Sequence, residues 1–226
     1  MVNSAKNHPK IQVLSENVLG MEWPAIISRD QHHLILQLKK ALADGLPSEI
    51  HSAVPAYHSL TIFTSHGTSS LQLKPKIESF IHEWSPNSET TSVEGTLHNI
   101  PVQYGGKFGP DLEDLAKIKQ LNPQEIINLH TSVEYYVYMI GFIAGFPYLG
   151  GLPEILHQPR RNEPRVRVPA GSVGIGGAQT GIYPVEAPGG WHLIGQTTTQ
   201  LFQPTSRPPA VIQPGDRIHF VEVTHD

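Results

Sequence analysis

Along the first third of the chain the spacing of apolar residues alternates between two periods. Short apolar runs at Ile11 to Leu14 and Val18 to Glu22 read as strands, and Leu34, Leu38 and Leu42 then fall on one face of a helix. Ser28 with Gln31 three residues on has the form of a capping box at its start, and Asp44-Gly45 ends it. Strands follow around His51 to Val54 and Ser59 to Thr64. A second helix runs from about Pro75 to Trp84, with Ile77, Phe80, Ile81 and Trp84 at i, i+3, i+4 and i+7. The order β-β-α-β-β-α predicts an α+β domain: a four-stranded antiparallel sheet with two helices on one side.

The run SPNSETTSVEG, Ser85 to Gly95, is polar and without apolar period, which marks a domain boundary. Two domains are expected, residues 1–90 and 91–226. Past the boundary, Asp111 can cap a short helix carrying Leu112, Leu115 and Ile118. Asn122-Pro123-Gln124-Glu125 offers another helix an N-cap, a proline at N1 and a glutamate at N3. From Val133 the chain alternates through Tyr135, Val137 and Met139, a half-buried strand. The rest is short strands broken by Gly and Pro, ending in the turn Pro214-Gly215-Asp216 and a strand with Ile218, Phe220 and Val223. Such a pattern predicts a mainly-β barrel or sandwich.

Composition adds a location for chemistry. The 51 residues from Gly145 to Gly195 hold 11 of the 20 Gly and 7 of the 20 Pro, yet also Phe146, Tyr148, Trp191 and four arginines. A flexible linker would lack the aromatics, so this is a folded, turn-dense surface. Nine lysines precede residue 120 and none follows it; the six later cations are all arginine. The planar guanidinium suits bidentate grip of carboxylate or phosphate. A net charge of −4 argues against a nucleic-acid or anionic-membrane binder. No apolar stretch reaches the roughly 18 residues of a membrane span and the first ten residues hold no signal-peptide run, so a cytoplasmic protein is expected. With no cysteine there is no thiolate nucleophile, and zinc would need His and carboxylates alone.

The motif inventory excludes more than it assigns. GIGGAQTG, Gly174 to Gly181, lacks the Gly-Lys-Ser/Thr of a phosphate loop and has Gln179 where GxGxxG needs glycine; a turn between strands accounts for it better. No GxSxG surrounds Ser172. None of the thirteen histidines falls in HExxH, and a local structural hydrogen bond is the better account of His130 and His157.

The runs HNIPVQYGGKFGPDLEDLA, LHTSVEYYVYMIGFIAGFPYLGGLP and PRRNEPRVRVPAGSVGIGGAQTGIYPVEAPGGWHLIGQT closely resemble the family of 5-oxoprolinase B subunits. That family also takes in an inhibitor of a sporulation histidine kinase and the C-D subdomains of the carboxyltransferase region of allophanate hydrolase and urea carboxylase systems. The resemblance implies a cyclophilin-like β-barrel behind the small α+β domain. It implies one component of an ATP-dependent hydrolase that opens 5-oxo-L-proline to L-glutamate, active only with two others: a second barrel protein like the C subunit of 5-oxoprolinase, and a LamB/YcsF-type protein as its A subunit. ATP would be a co-substrate of the complex, bound by a component the sequence does not identify.

Within that resemblance Arg160, Arg161 and Arg165 would clamp carboxylate or phosphate oxygens, with Gln179 and Tyr183 as further catalytic candidates. Gly176, Gly177, Thr180 and Trp191 would bind substrate, although a tight barrel turn accounts for the two glycines equally well. Phe146, Pro147, Tyr148 and Leu149 are expected to form an exposed apolar surface covered by the second barrel protein. Two rivals stand beside this reading: a biotin-dependent carboxyltransferase half-domain whose carrier lies on another polypeptide, and a non-enzymatic kinase inhibitor using the same groove.

Overall fold

A computed structural model describes residues 8–86 and 95–223. The chain forms two compact units, residues 1–93 and 94–226; most of the expected boundary stretch lies outside the described residues. In the first unit β1 (Lys10–Ser15), β2 (Val18–Glu22), β3 (Ile50–Pro55) and β4 (Ser59–Thr64) form an antiparallel sheet in the order β1-β2-β4-β3. Helices α1 (Arg29–Gly45) and α2 (Ser70–Glu83) bury Ile35, Leu38, Leu42, Leu73, Ile77 and Ile81 against Leu19, Met21, Leu60 and Ile62 of the sheet. Side chains alternate across a strand, so these alternate residues put both helices on one face.

The Ser28 hydroxyl accepts the Gln31 backbone N–H at 3.1 Å, as the capping signal requires. The Gln31 side chain leaves the box incomplete, reaching the carbonyls of Pro24 and Ile26 instead. α2 begins at Ser70 with Ser69 as its N-cap, and Pro75, read from sequence as its start, lies inside it. The proline removes one bond, to the carbonyl of Leu71, on the exposed side of the helix where water can replace it. Burial of Leu73, Ile77 and Ile81 outweighs that local loss.

In the second unit β5 (Leu97–Tyr104), β6 (Glu134–Ile140), β7 (Pro147–Gly150), β9 (Ser172–Gly176), β10 (Gln179–Ile182), β12 (His192–Gln196) and β13 (Arg217–Glu222) close into a barrel, ordered β10-β7-β6-β13-β5-β12-β9. The last strand runs parallel to β5 and antiparallel to β6, so the barrel is mixed. β8 (Arg165–Val168) and β11 (Ala187–Gly189) pair as a separate two-stranded ribbon. Ile100, Val102, Tyr135, Val137, Ile175, Ile182, Ile218 and Phe220 fill the core, joined by α3 (Leu112–Lys119) and α4 (Pro123–Thr131).

α4 carries the full capping box read from sequence. β6 departs from expectation: Tyr135 to Tyr138 are all buried, because Tyr136 and Tyr138 pack edge-to-face with one another on the side expected to meet solvent. In α3 Ile118 is exposed and Ala116 is buried in its place.

Candidate functional site

The PRRNEPR segment lies between a 3-10 turn at Glu154–Leu156 and β8, and backbone anchors fix it at three points. Gln158 exchanges two backbone bonds with Gly177, the Pro159 carbonyl meets His192 Nε2 at 2.9 Å, and the Arg161 N–H donates to the Gly190 carbonyl at 2.8 Å. The arginine-bearing loop is therefore tied both to the β9–β10 turn and to the residues around Trp191.

Asp111, which the sequence reading placed at the N-cap of α3, stands there but makes no side-chain cap bond. Its carboxylate turns away from the helix: Oδ1 accepts Arg161 Nη1 at 2.9 Å and Arg165 Nη2 at 2.7 Å, and Oδ2 accepts the Leu193 N–H at 2.7 Å. The side chain of Asp111 is 5% exposed, against 36% for Arg161 and 25% for Arg165. Burial pushes the Asp111 pKa up, but the Arg165 hydrogen bond, the Leu193 amide and the charges of both arginines more than offset it, and the net shift is downward. The carboxylate is ionised at neutral pH. Two arginines on one carboxylate leave a net positive charge, and Arg161 Nε and Arg165 Nη1 remain buried without an acceptor. The sequence reading gave Arg161 and Arg165 to an external anion; in the structure their partner is Asp111. Nothing in the sequence linked positions 50 and 54 residues apart.

Beside this cluster lies a pocket of about 230 Å³ lined by Phe142, Phe146, Tyr148, Tyr183, Trp191 and Arg160, with Pro164, Pro188 and the Gly189-Gly190 backbone completing the wall. Phe146 is the hub: its ring meets those of Tyr148, Tyr183 and Trp191 edge-to-face at 5.0, 5.1 and 5.4 Å between centroids. Arg160 is exposed and its guanidinium sits 5.9 Å from the Trp191 ring centroid. Burial raises the Tyr183 pKa, against the opposing pull of a Trp191 backbone bond and the charges of Arg160 and Arg165. Burial likewise raises that of Tyr148, with Arg160 opposing. Both phenols are protonated at neutral pH and so can donate.

The structure thus brings Arg160, Tyr183 and Trp191 together in the pocket wall, and the other candidates do not line it. Gly176 is a seat for the indole, since a Cβ there would stand 2.6 Å from Trp191 ring atoms; its glycine is explained by packing. Gly177 takes the left-handed turn position (φ +67°) and its N–H is engaged by Gln158, so the tight-turn account applies. Gln179 pairs with Gly176 where β10 begins and does not line the pocket.

Thr180 is fully buried inside the barrel rather than in the pocket, because its hydroxyl donates to the Gly174 carbonyl and meets His130 Nε2 at 2.9 Å. That donation fixes the His130 tautomer: Nε2–H must donate to Thr180, leaving Nδ1 to accept the Tyr104 hydroxyl at 2.8 Å. Burial lowers the His130 pKa to about 3, so the ring is neutral. His157 Nε2 meets the Leu152 carbonyl at 3.0 Å, a local bond of the kind expected.

The expected exposed surface at Phe146 to Leu149 is not there: Phe146, Pro147 and Leu149 are buried and Tyr148 half-buried, since β7 is a barrel strand. Phe142, just before β7, is exposed instead, 59% accessible with φ +65°, a backbone region costly for a bulky side chain. Among the described residues no group of three or more His, Asp or Glu is placed to hold a metal ion, and no helix is long and apolar enough to cross a membrane.

An antiparallel α+β unit followed in sequence by a closed mixed barrel agrees with the carboxyltransferase type of domain, and residues 9–212 match the family model "Carboxyltransferase domain, subdomain C and D". The chain belongs to that family, within the group of 5-oxoprolinase B subunits. It is 49% identical over 208 residues to the 5-oxoprolinase B subunit of Haemophilus influenzae, covering 92% of this chain and 95% of that one. Its identity to the Escherichia coli O157:H7 protein of the same name is 45% over 204 residues, 90% of each chain.

A putative urea carboxylase of Emericella nidulans is 27% identical over 54% of this chain and 11% of its own length. Among solved structures, TTHA0988 superposes with a TM-score of 0.78 at 31% identity over 94% of this chain, which spans 41% of that protein's length. The urea carboxylase of Kluyveromyces lactis, with a TM-score of 0.77 at 17% identity over 99% of this chain and 23% of its own, shares the fold.

Proposed function

We propose that this chain is the B subunit of an ATP-dependent 5-oxoprolinase, which opens 5-oxo-L-proline to L-glutamate as ATP is hydrolysed to ADP and phosphate. The observation that carries the reading is the near-full-length similarity, 45–49% identity over at least 90% of each chain, to two bacterial proteins of that name. Urea carboxylase is far more distant in sequence and resembles this chain over a small part of its own length.

The chemistry agrees with the site. An unstrained lactam is a poor electrophile; transfer of the γ-phosphoryl group of ATP to its oxygen makes C5 attackable by water, the tetrahedral adduct expels the ring nitrogen as the amine to leave a γ-glutamyl phosphate, and a second water releases phosphate and the new carboxylate. Substrate and intermediate are anionic, and fixed guanidinium donors favour such charge where it develops. The pocket of this chain supplies a cation and phenolic donors but, among the described residues, no phosphate loop and no paired nucleophile and base. This is in keeping with a reaction completed by further components, and those that the family resemblance implies are a second barrel protein and a LamB/YcsF-type protein.

The test is reconstitution. The purified chain should form no glutamate from 5-oxoproline and ATP, and glutamate and phosphate should appear in equal amounts when both partner proteins are added. Robust turnover by the single chain would overturn the dependence on partners. An inactive reconstituted complex, with carboxylation on addition of a biotin carrier, would move the chain to the carboxyltransferase class.

A further inference from the structure

We propose that the aromatic pocket is the site for the substrate's carboxylate and ring, that Arg160 is the arginine that touches it, and that ATP binds elsewhere in the complex. The inference rests on the oxoprolinase reading and assigns different jobs to three arginines that the sequence presents as equivalents. Arg161 and Arg165 are both committed to Asp111 Oδ1. They set the position of the loop and a positive field behind Tyr183, and they are positioning residues. Arg167, on the same stretch, is gripped bidentately by Glu186 at 2.9 Å through both of its bonds. Arg160 has no carboxylate partner among the described residues; it is exposed, lines the pocket and rests over Trp191, from which it can be drawn onto a better anion.

The pocket's shape and surface narrow the ligand. A volume of about 230 Å³ lies below the roughly 300–1,000 Å³ of clefts that take drug-sized ligands. It is lined by the rings of Phe142, Phe146, Tyr148, Tyr183 and Trp191, which suit a flat, uncharged ring. Burial keeps the Tyr183 phenol protonated, so it can donate to a ligand acceptor in the pocket that it lines. One cation beside two phenols and a wall of aromatic rings matches a small planar ring acid with a single carboxylate and a neutral lactam. A nucleoside triphosphate needs several cations or a backbone nest for its phosphates, and the pocket offers one arginine.

Binding of 5-oxo-L-proline to the purified full chain, read by ligand-observed NMR and by quenching of tryptophan fluorescence, tests this. The wild-type chain should bind 5-oxoproline, but not its methyl ester and not L-proline, whose ring nitrogen is charged; ATP should not compete. Arg160→Ala should weaken binding about 10- to 100-fold, as loss of a charge-assisted bond does. Arg160→Lys should fall between, and Arg167→Ala should bind as wild type. Undiminished binding in Arg160→Ala, equal binding of the ester, competition by ATP, or no binding by the wild-type chain either alone or in the reconstituted complex would each overturn the assignment. Glutamate formation by the complex is scored separately. An active complex indifferent to Arg160→Ala leaves the oxoprolinase reading standing and removes the pocket, whereas carboxylate-dependent binding in a complex that forms no glutamate does the reverse.

Discussion

Replacing Asp111 by asparagine keeps shape and volume and removes one charge, so it isolates what the carboxylate does for its two arginines. Hydrogen bonds to charged groups contribute about 1.5–3 kcal/mol each, and Asp111 makes two of them through Oδ1. Breaking one side of a buried pair costs about 3–5 kcal/mol because the partner is left buried and uncompensated. Here the partners are not fully buried, with Arg161 36% and Arg165 25% exposed, so both can recover part of their hydration. Asparagine also keeps an acceptor for the Leu193 N–H. We therefore expect a loss of about 2–3 kcal/mol, a fall in the melting temperature of the barrel unit of roughly 6–12 °C.

Calorimetry on the full chain, with Arg165→Met and the double variant completing a cycle, gives the coupling directly; it should exceed about 1 kcal/mol. The Asp111 pKa is lowered in the fold, so its contribution is fully present above the unfolded value of about 3.9 and is lost as pH falls through the folded one. The difference between wild type and Asp111→Asn should thus be constant from pH 5 to 8 and shrink only in stronger acid. A difference below about 0.5 kcal/mol at pH 7, or one that grows as pH falls, would refute the claim that this carboxylate organises the loop.

His130 is held neutral with a pKa of about 3, below the unfolded value of about 6.5, so the unfolded chain binds the extra proton and the barrel should lose about 1.4 kcal/mol per pH unit below 6.5; urea unfolding of His130→Asn should show a flatter dependence over pH 4 to 6.5. Gly176→Ala puts a Cβ 2.6 Å from the Trp191 indole and should cost about 1–3 kcal/mol by overpacking, with a shifted tryptophan emission; wild-type stability and emission would show that the indole is not seated there. In the reconstituted complex Arg161→Lys, which keeps the charge but loses the planar guanidinium whose Nη1 donates to Asp111, should lower turnover by roughly 10-fold while Arg161→Ala lowers it further; wild-type turnover in both would remove the loop's geometry from the chemistry.

What could be read in the sequence follows the range of the interaction responsible. The Ser28 cap, the Asn122 box and the alternation of the β-β-α-β-β-α unit are set by residues within four positions of one another. The structure bears them out, and it also carries the barrel that the resemblance implied. Pro75 misled because its local penalty was weighed without the tertiary burial that overrides it. The site depended on longer range still. Asp111 reads as an ordinary N-cap, and only closure of the barrel, which brings Leu193 and the 160s loop to it, reveals a carboxylate diverted from its helix to two arginines.

Arg160 and Arg161 are neighbours in sequence, identical in chemistry and different in surroundings, since one backbone step points the second at Asp111 and leaves the first over Trp191. Residue type pointed to an anionic partner for every arginine of the loop; a single buried carboxylate is the partner of Arg161 and Arg165, and it is on this that the proposal assigning the ligand to Arg160 rests.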